Sequence, residues 1–100
     1  MSHRLIVRSE AEADITEAAL WYEGREAGLG LELAAEIRGA IQRAVERPLT
    51  CLRFRKHPEV RRILARRFPY RVFFIVRADA IVVFAVLHAA RHDRYWKKRV

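Results

Sequence analysis

The chain has 100 residues, of which 52% are hydrophobic, and carries a net charge of +8. That length suits one domain over residues 1–100 with a single core, and that apolar content excludes a disordered chain. No apolar run reaches the roughly 20 residues of a membrane span. The opening Met1-Ser-His-Arg-Leu-Ile-Val-Arg8 is too short in apolar character for a secretory signal.

In chain order, Arg4-Leu-Ile-Val-Arg8 predicts a first strand. Ser9-Glu-Ala-Glu12 places Glu three positions after Ser, the pattern of a capping box. Ala11, Ile15, Ala18 and Tyr22 then recur at helical spacing, and Gly24 can end that helix. A second helix is predicted from about Gly30 to Arg47, with Leu33, Ala34, Ile37, Ile41, Ala44 and Val45 as its stripe and Pro48 as its stop. Arg43 and Arg47 complement the negative end of its dipole. The short Gly28–Gly30 link makes the two helices an antiparallel hairpin. Residues 48–59, with Pro48 and Pro58, read as a loop. Val60 to Phe68 reads as a strand, although Arg61, Arg62, Arg66 and Arg67 blur its alternation. A β-hairpin follows, 70–77 and 81–88, around Arg77-Ala-Asp-Ala80. The order β-α-α-β-β-β predicts an α+β fold, its helical hairpin packed on one face of a mainly antiparallel sheet.

The hairpin carries apolar residues on both faces. Tyr70, Val72, Phe74 and Val76 alternate with Arg71, Phe73, Ile75 and Arg77; Ile81, Val83, Ala85 and Leu87 alternate with Val82, Phe84, Val86 and His88. A sheet wet on one side alternates apolar with polar. Two helices cover only one face, so the C-terminal tail, a second copy or a partner must shield the other.

Charge is divided unevenly. Residues 1–50 hold six Arg and nine Asp/Glu, giving −3, and residues 51–100 hold fourteen Lys/Arg and three Asp/Glu, giving +11. The second half therefore favours an acidic partner. Seventeen of the twenty basic residues are Arg, whose planar fork suits carboxylate and phosphate better than it suits proton transfer. The lone Cys51 excludes an internal disulfide and a cysteine-rich zinc site, which makes a reduced, cytoplasmic setting the expectation. Beside Arg53, Arg55 and Lys56 its pKa could be lowered, but without a base or partner it reads as an incidental thiol.

Candidate functional residues cluster late in the chain. His88, Arg91, His92, Arg94 and Tyr95 follow directly on an apolar strand, a place where rigid elements deliver polar groups to an edge. His88-x3-His92 lacks a third ligand, so no metal is expected. Arg66, Arg67 and Arg71 either line an acidic-partner groove or protect an edge strand by charge. Trp21 and Tyr22 read as helix packing. Tyr95 and Trp96 sit in the basic tail Arg94–Arg99, which either binds nucleic acid or folds back on the sheet.

Phe68-Pro-Tyr-Arg-Val-Phe-Phe, Ile81-Val-Val-Phe-Ala-Val-Leu-His, Ala90-Arg-His-Asp-Arg-Tyr-Trp96 and Gly28-Leu-Gly-Leu-Glu-Leu together resemble the ParE branch of the RelE/ParE toxin superfamily, over nearly the whole chain. The resemblance implies a toxin of a type II toxin–antitoxin (plasmid stabilisation) module. It implies no cofactor and no membrane, and a cognate acidic antitoxin wrapped on the basic half, in a complex that can form higher oligomers. RelE-like members are ribosome-dependent mRNA endonucleases; ParE-like members inhibit DNA gyrase. Arg71 after Tyr70, and Arg91 past the last strand, match basic positions of the endonucleases. Their two strand lysines fall at Arg62 and Leu64, and a catalytic tyrosine falls near Tyr95 at a shorter spacing. The proton-transfer set is thus incomplete, and gyrase inhibition is the expected activity. The alternatives are a ribosome-dependent RNase using Arg71, Arg91, His88 and Tyr95, or a non-toxic interaction module. On the leading reading Arg62, Arg66, Arg67, Arg71, His88, Arg91, Arg94, Tyr95 and Trp96 contact antitoxin or target, with Arg71 and Arg91 converging on one groove.

Overall fold

A computed structural model describes residues 3–100. The elements are β1 (Arg4–Val7), α1 (Ser9–Arg25), α2 (Leu29–Glu46), a 3-10 turn (Pro48–Thr50), β2 (Leu52–Arg53), β3 (Val60–Leu64), β4 (Tyr70–Val76), β5 (Ala80–His88) and α3 (Arg94–Lys97). The sheet runs β1-β5-β4-β3-β2. β1 lies parallel to β5 and every other pair is antiparallel. The predicted α+β architecture is the observed one. Sequence analysis missed β2, a two-residue edge strand inside the expected loop, and α3.

The helical hairpin forms as its stripes require. Ala11, Ile15 and Ala18 of α1 and Leu33, Ile37, Ile41 and Ala44 of α2 are buried against Val72, Phe74, Ile81, Val83 and Val86 of the sheet. The capping box does not form. The Arg8 amide donates to Val83 O (2.9 Å), so sheet pairing holds Arg8 extended and the helix begins at Ser9 itself. The Glu12 carboxylate instead takes Arg38 (2.8 Å). Helix α1 also runs one residue past Gly24. What closes the hairpin is Glu23, whose carboxylate accepts from Gly28 N (2.8 Å) and Gly30 N (3.0 Å), capping the amides that open α2. Gly28 sits at φ 89°, the left-handed region open to glycine. Gly30 is packed so closely that a Cβ would run into Ala19 O.

One irregularity redirects the end of the sheet. Phe73 pairs with Ala85 but Phe74 pairs with Val83, so β5 carries an extra residue at Phe84. Beyond that bulge the predicted alternation inverts: Ala85 and Leu87 join the outer cluster and Val86 the helical one. The open edge of β5 beyond β1 is sealed by side chains. Asp14 accepts from Val86 N (2.9 Å) and pairs with Arg99 (2.6 and 3.1 Å), and Arg99 also donates to Phe84 O (3.2 Å).

The second apolar face is covered by the chain's own tail. Trp96 is fully buried against Val60, Phe73, Ile75, Val82 and Phe84, with Phe54 beside it. Its ring stacks on Phe73 (centroids 5.3 Å) and tilts against Phe54 (4.6 Å). Of the three coverings the sequence left open, the tail is the one present.

Candidate functional site

β4 and β5 end side by side at the Tyr70–His88 pair, and the chain beyond His88 turns across that end before α3 docks under the sheet. The predicted site residues therefore divide between two faces, according to the strand position of each.

Arg71 lies on the outer face, beside Leu64 of β3. Its guanidinium donates to Asp93 (2.9 Å) and to the Arg91 carbonyl (2.7 Å), and stacks over Phe73 at 4.9 Å. Only 13% of the side chain is exposed. Desolvation works to raise the Asp93 pKa, but hydrogen bonds from Arg71 and Trp96 and the charges of Arg71 and Lys97 outweigh it, holding the carboxyl below its ordinary 3.8. The Trp96 indole N–H faces that carboxylate while falling short of full hydrogen-bond geometry. Arg71 thus fastens the tail, and it does not share a groove with the Arg91 side chain as expected from sequence. Trp96 is likewise a core residue and cannot be a contact for a partner, because stacking removes its whole surface from solvent.

His88 faces the helices, where the bulge has turned it. Its Nδ1 accepts from Ala90 N (3.0 Å), and the ring meets Tyr70 edge-on at 5.4 Å. With Glu17, Trp21, Tyr22, Tyr70 and Arg91 it lines an open cleft of about 310 Å³ between α1 and the strand ends. Burial pushes the Tyr70 phenol up, with Tyr22 and Glu17 adding to the effect and Arg91 opposing it. Trp21, read from sequence as a packing residue, is 54% exposed on the rim because α1 turns it away from α2, and Arg25 lies over its ring at 4.3 Å.

The Arg91 guanidinium reaches the Tyr95 ring instead (4.1 Å), and Arg94 (5.1 Å) and Lys98 (5.4 Å) approach the same ring. Arg94 also donates to the Tyr95 hydroxyl (3.4 Å), and this bond, with the surrounding cations, lowers the phenol pKa. Arg62 is half-buried on the outer face, opposite Leu52 and Phe73. Arg66 and Arg67 turn back to α2: the Arg66 amide donates to Glu36 (3.3 Å), and Arg67 pairs with Glu32 (2.8 Å). Burial pushes the Cys51 thiol up against the opposing charges of Arg61 and Arg43, the reverse of an activated cysteine.

Chemically, this is a surface of charge and shape. Arg71 is occupied, Leu64 carries no proton, and His88 and Arg71 stand on opposite faces of the sheet. Among the described residues no three His, Cys, Asp or Glu side chains could hold a metal, and no helix is long and apolar enough to cross a membrane. Sequence reasoning missed Asp93 and Asp14, which organise the tail and the edge of β5. Asp93 had left a trace, as the one acid in an otherwise basic C-terminal segment.

The fold is similar to that of several solved structures. The toxin–antitoxin assembly "Chromosomal ParDE TA system from P. aeruginosa" contains a chain that superposes with a TM-score of 0.72 at 19% identity, covering 87% of this chain and 96% of that one. The isolated E. coli RelE toxin superposes at 0.65 with 18% identity, over 97% and 95%. A RelE mutant in complex with an antitoxin RelB peptide gives 0.62 at 18% identity, over 100% and 96%. No curated protein matches the chain. The family model for the ParE toxin of the type II toxin–antitoxin system parDE matches residues 5–93. The chain therefore belongs to the ParE toxin family.

Proposed function

We propose that this toxin arrests growth by inhibiting DNA gyrase in the cytoplasm and that a cognate acidic antitoxin neutralises it. The observation that carries the choice of target is the engagement of Arg71. Its guanidinium is engaged by Asp93 and the Arg91 carbonyl, with Leu64 alongside, so these two positions, which match the endonuclease set, supply neither a free phosphate ligand nor a proton donor. That supports a protein-binding mode over RNA cleavage. Arg62, Arg66, Arg67, His88, Arg91, Arg94 and Tyr95 remain as contacts for antitoxin or target. The cleft beside His88, with the exposed Trp21 at its rim, suits an antitoxin segment carrying an apolar side chain and carboxylates for Arg91.

The test is direct. Purified toxin added to gyrase should block supercoiling and accumulate cleaved DNA, and added to ribosomes programmed with mRNA should give no codon-dependent cleavage. Cleavage on the ribosome at substoichiometric toxin, with gyrase unaffected, would reverse the assignment and require Arg71 to leave Asp93.

A further inference from the structure

Three of the ion pairs among the described residues use acids of the helical layer. Arg38, Arg67 and Arg99 pair with Glu12, Glu32 and Asp14, all carried by α1 and α2. On the opposite side the balance inverts. The end of β2 and the loop after it bring Arg53, Arg55 and Lys56, and α3 brings Lys97, to the lining of one shallow cleft of about 340 Å³, together with Phe54 and Trp96. Arg94 and Lys98 continue the same tail around the ring of Tyr95. None of these six cations has a carboxylate within ion-pair distance among the described residues. Asp93, the one acid lining the cleft, holds Arg71.

We infer that this C-terminal surface is a binding site for the phosphate backbone of duplex DNA. Two cationic segments some forty residues apart in sequence are brought to one side because Trp96 docks between them, which exceeds what a basic composition alone produces. A surface of unpaired Lys and Arg suits a row of phosphates, where a duplex presents one negative charge per ~1.7 Å of axis. The widest dimension of the molecule, 40 Å, limits contact to about one helical turn of ~34 Å. An acidic protein is the weaker match. Protein docking needs several apolar anchors that become desolvated, and of the apolar residues lining the cleft Trp96 is already buried and Phe54 half-buried, which leaves Leu52 alone exposed, at 47%. A membrane surface is weaker still, since α3 exposes no apolar face. The surface would let the toxin hold the DNA on which gyrase works. The inference goes beyond the gyrase reading, because DNA binding is measured with neither gyrase nor antitoxin present and either can fail alone.

The experiment is fluorescence anisotropy of the full chain against a labelled duplex of about three helical turns, ~30 base pairs, of mixed sequence. Six phosphate contacts give a slope of log affinity against log salt of about −5, so raising salt from about 50 to about 200 mM should weaken binding about 10³-fold. The variant Lys56→Glu/Lys97→Glu/Lys98→Glu should lose about 100-fold or more in affinity at fixed salt and flatten the slope by about 3. A control with the same net charge, Arg25→Glu/Arg38→Glu/Arg47→Glu on the helical layer, should stay within about threefold of wild type. Thermal melts of both variants establish that each is folded. Equal losses in the two variants would reduce the effect to diffuse net charge and overturn the site. So would an absence of duplex binding at low salt, tighter binding of a duplex RNA of the same sequence, or displacement of DNA by polyglutamate at equal charge concentration.

Discussion

Replacing Trp96 with alanine tests whether the tail holds the outer face of the sheet. The side chain is fully buried and meets three rings, Phe73 at 5.3 Å, Phe54 at 4.6 Å and His57 at 5.4 Å. Truncating a buried aromatic to alanine costs about 3–5 kcal/mol, the larger values applying where the surroundings cannot collapse into the space. Collapse is hindered here, because Phe73 is held by strand pairing and the chain just past α3 is anchored through Arg99 and Asp14. The upper half of that range therefore applies, against a total of about 5–15 kcal/mol for a domain of this kind. Urea titration followed by far-ultraviolet circular dichroism measures the loss. The melting temperature should fall by at least about 16 °C, taking about 4 °C per kcal/mol. Trp96→Phe should recover roughly half of it, since a smaller ring can still stack on Phe73. Fluorescence gives a second reading: in Trp21→Phe, Trp96 alone should emit at the short wavelength of a dry indole and shift only on unfolding. A loss below about 1 kcal/mol in Trp96→Ala would refute the reasoning, because the outer face would then be stable without its cover.

Three further outcomes are expected. Asp14→Ala leaves Arg99 without its partner and Val86 N–H without its acceptor, so stability should fall by about 2–4 kcal/mol in urea titration, and hydrogen exchange at Val86 should accelerate. Asp93 is held below its ordinary pKa in the folded chain, so its contribution is complete above the unfolded value and is lost as pH falls through the folded one. Urea stability measured at successive pH values should thus drop more steeply on the acid side in wild type than in Asp93→Asn, and parallel curves would remove the Arg71–Asp93 pair from the account. Gly30→Ala drives a methyl into the Ala19 carbonyl, a backbone atom that cannot move without separating the helices, and should cost about 1–3 kcal/mol by thermal melting.

Local patterns in the sequence were enough to locate most of the elements. The stripes Ala11, Ile15, Ala18 and Leu33, Ile37, Ile41 repeat at the period of a helix, and the runs around Phe73 and Val83 are β-branched and aromatic, so each segment states its own form through short-range physics. The motifs around Phe68, Ile81 and Ala90 carried the toxin-family resemblance, which the match over residues 5–93 bears out. The uneven charge of the two halves was also legible, because it is a property of composition.

Pairing and burial decided the rest. A bulge depends on how two strands register, and nothing in Phe84-Ala-Val-Leu-His88 announces the extra residue that turns His88 toward the helices. The capping box at Ser9 failed for a similar reason: a hydrogen bond to Val83, far along the chain, outweighed a local one. Trp96 and Arg71 had the composition of a binding surface, and only the docking of the tail made the first a core residue and the second its fastening. Sequence by itself determined which segments are helix or strand and where the charge lies. Tertiary structure determined which of those charges are spent internally and which face outward, because an ion pair needs two residues to meet, and Arg71 meets Asp93 only after 22 residues of hairpin and tail have folded back.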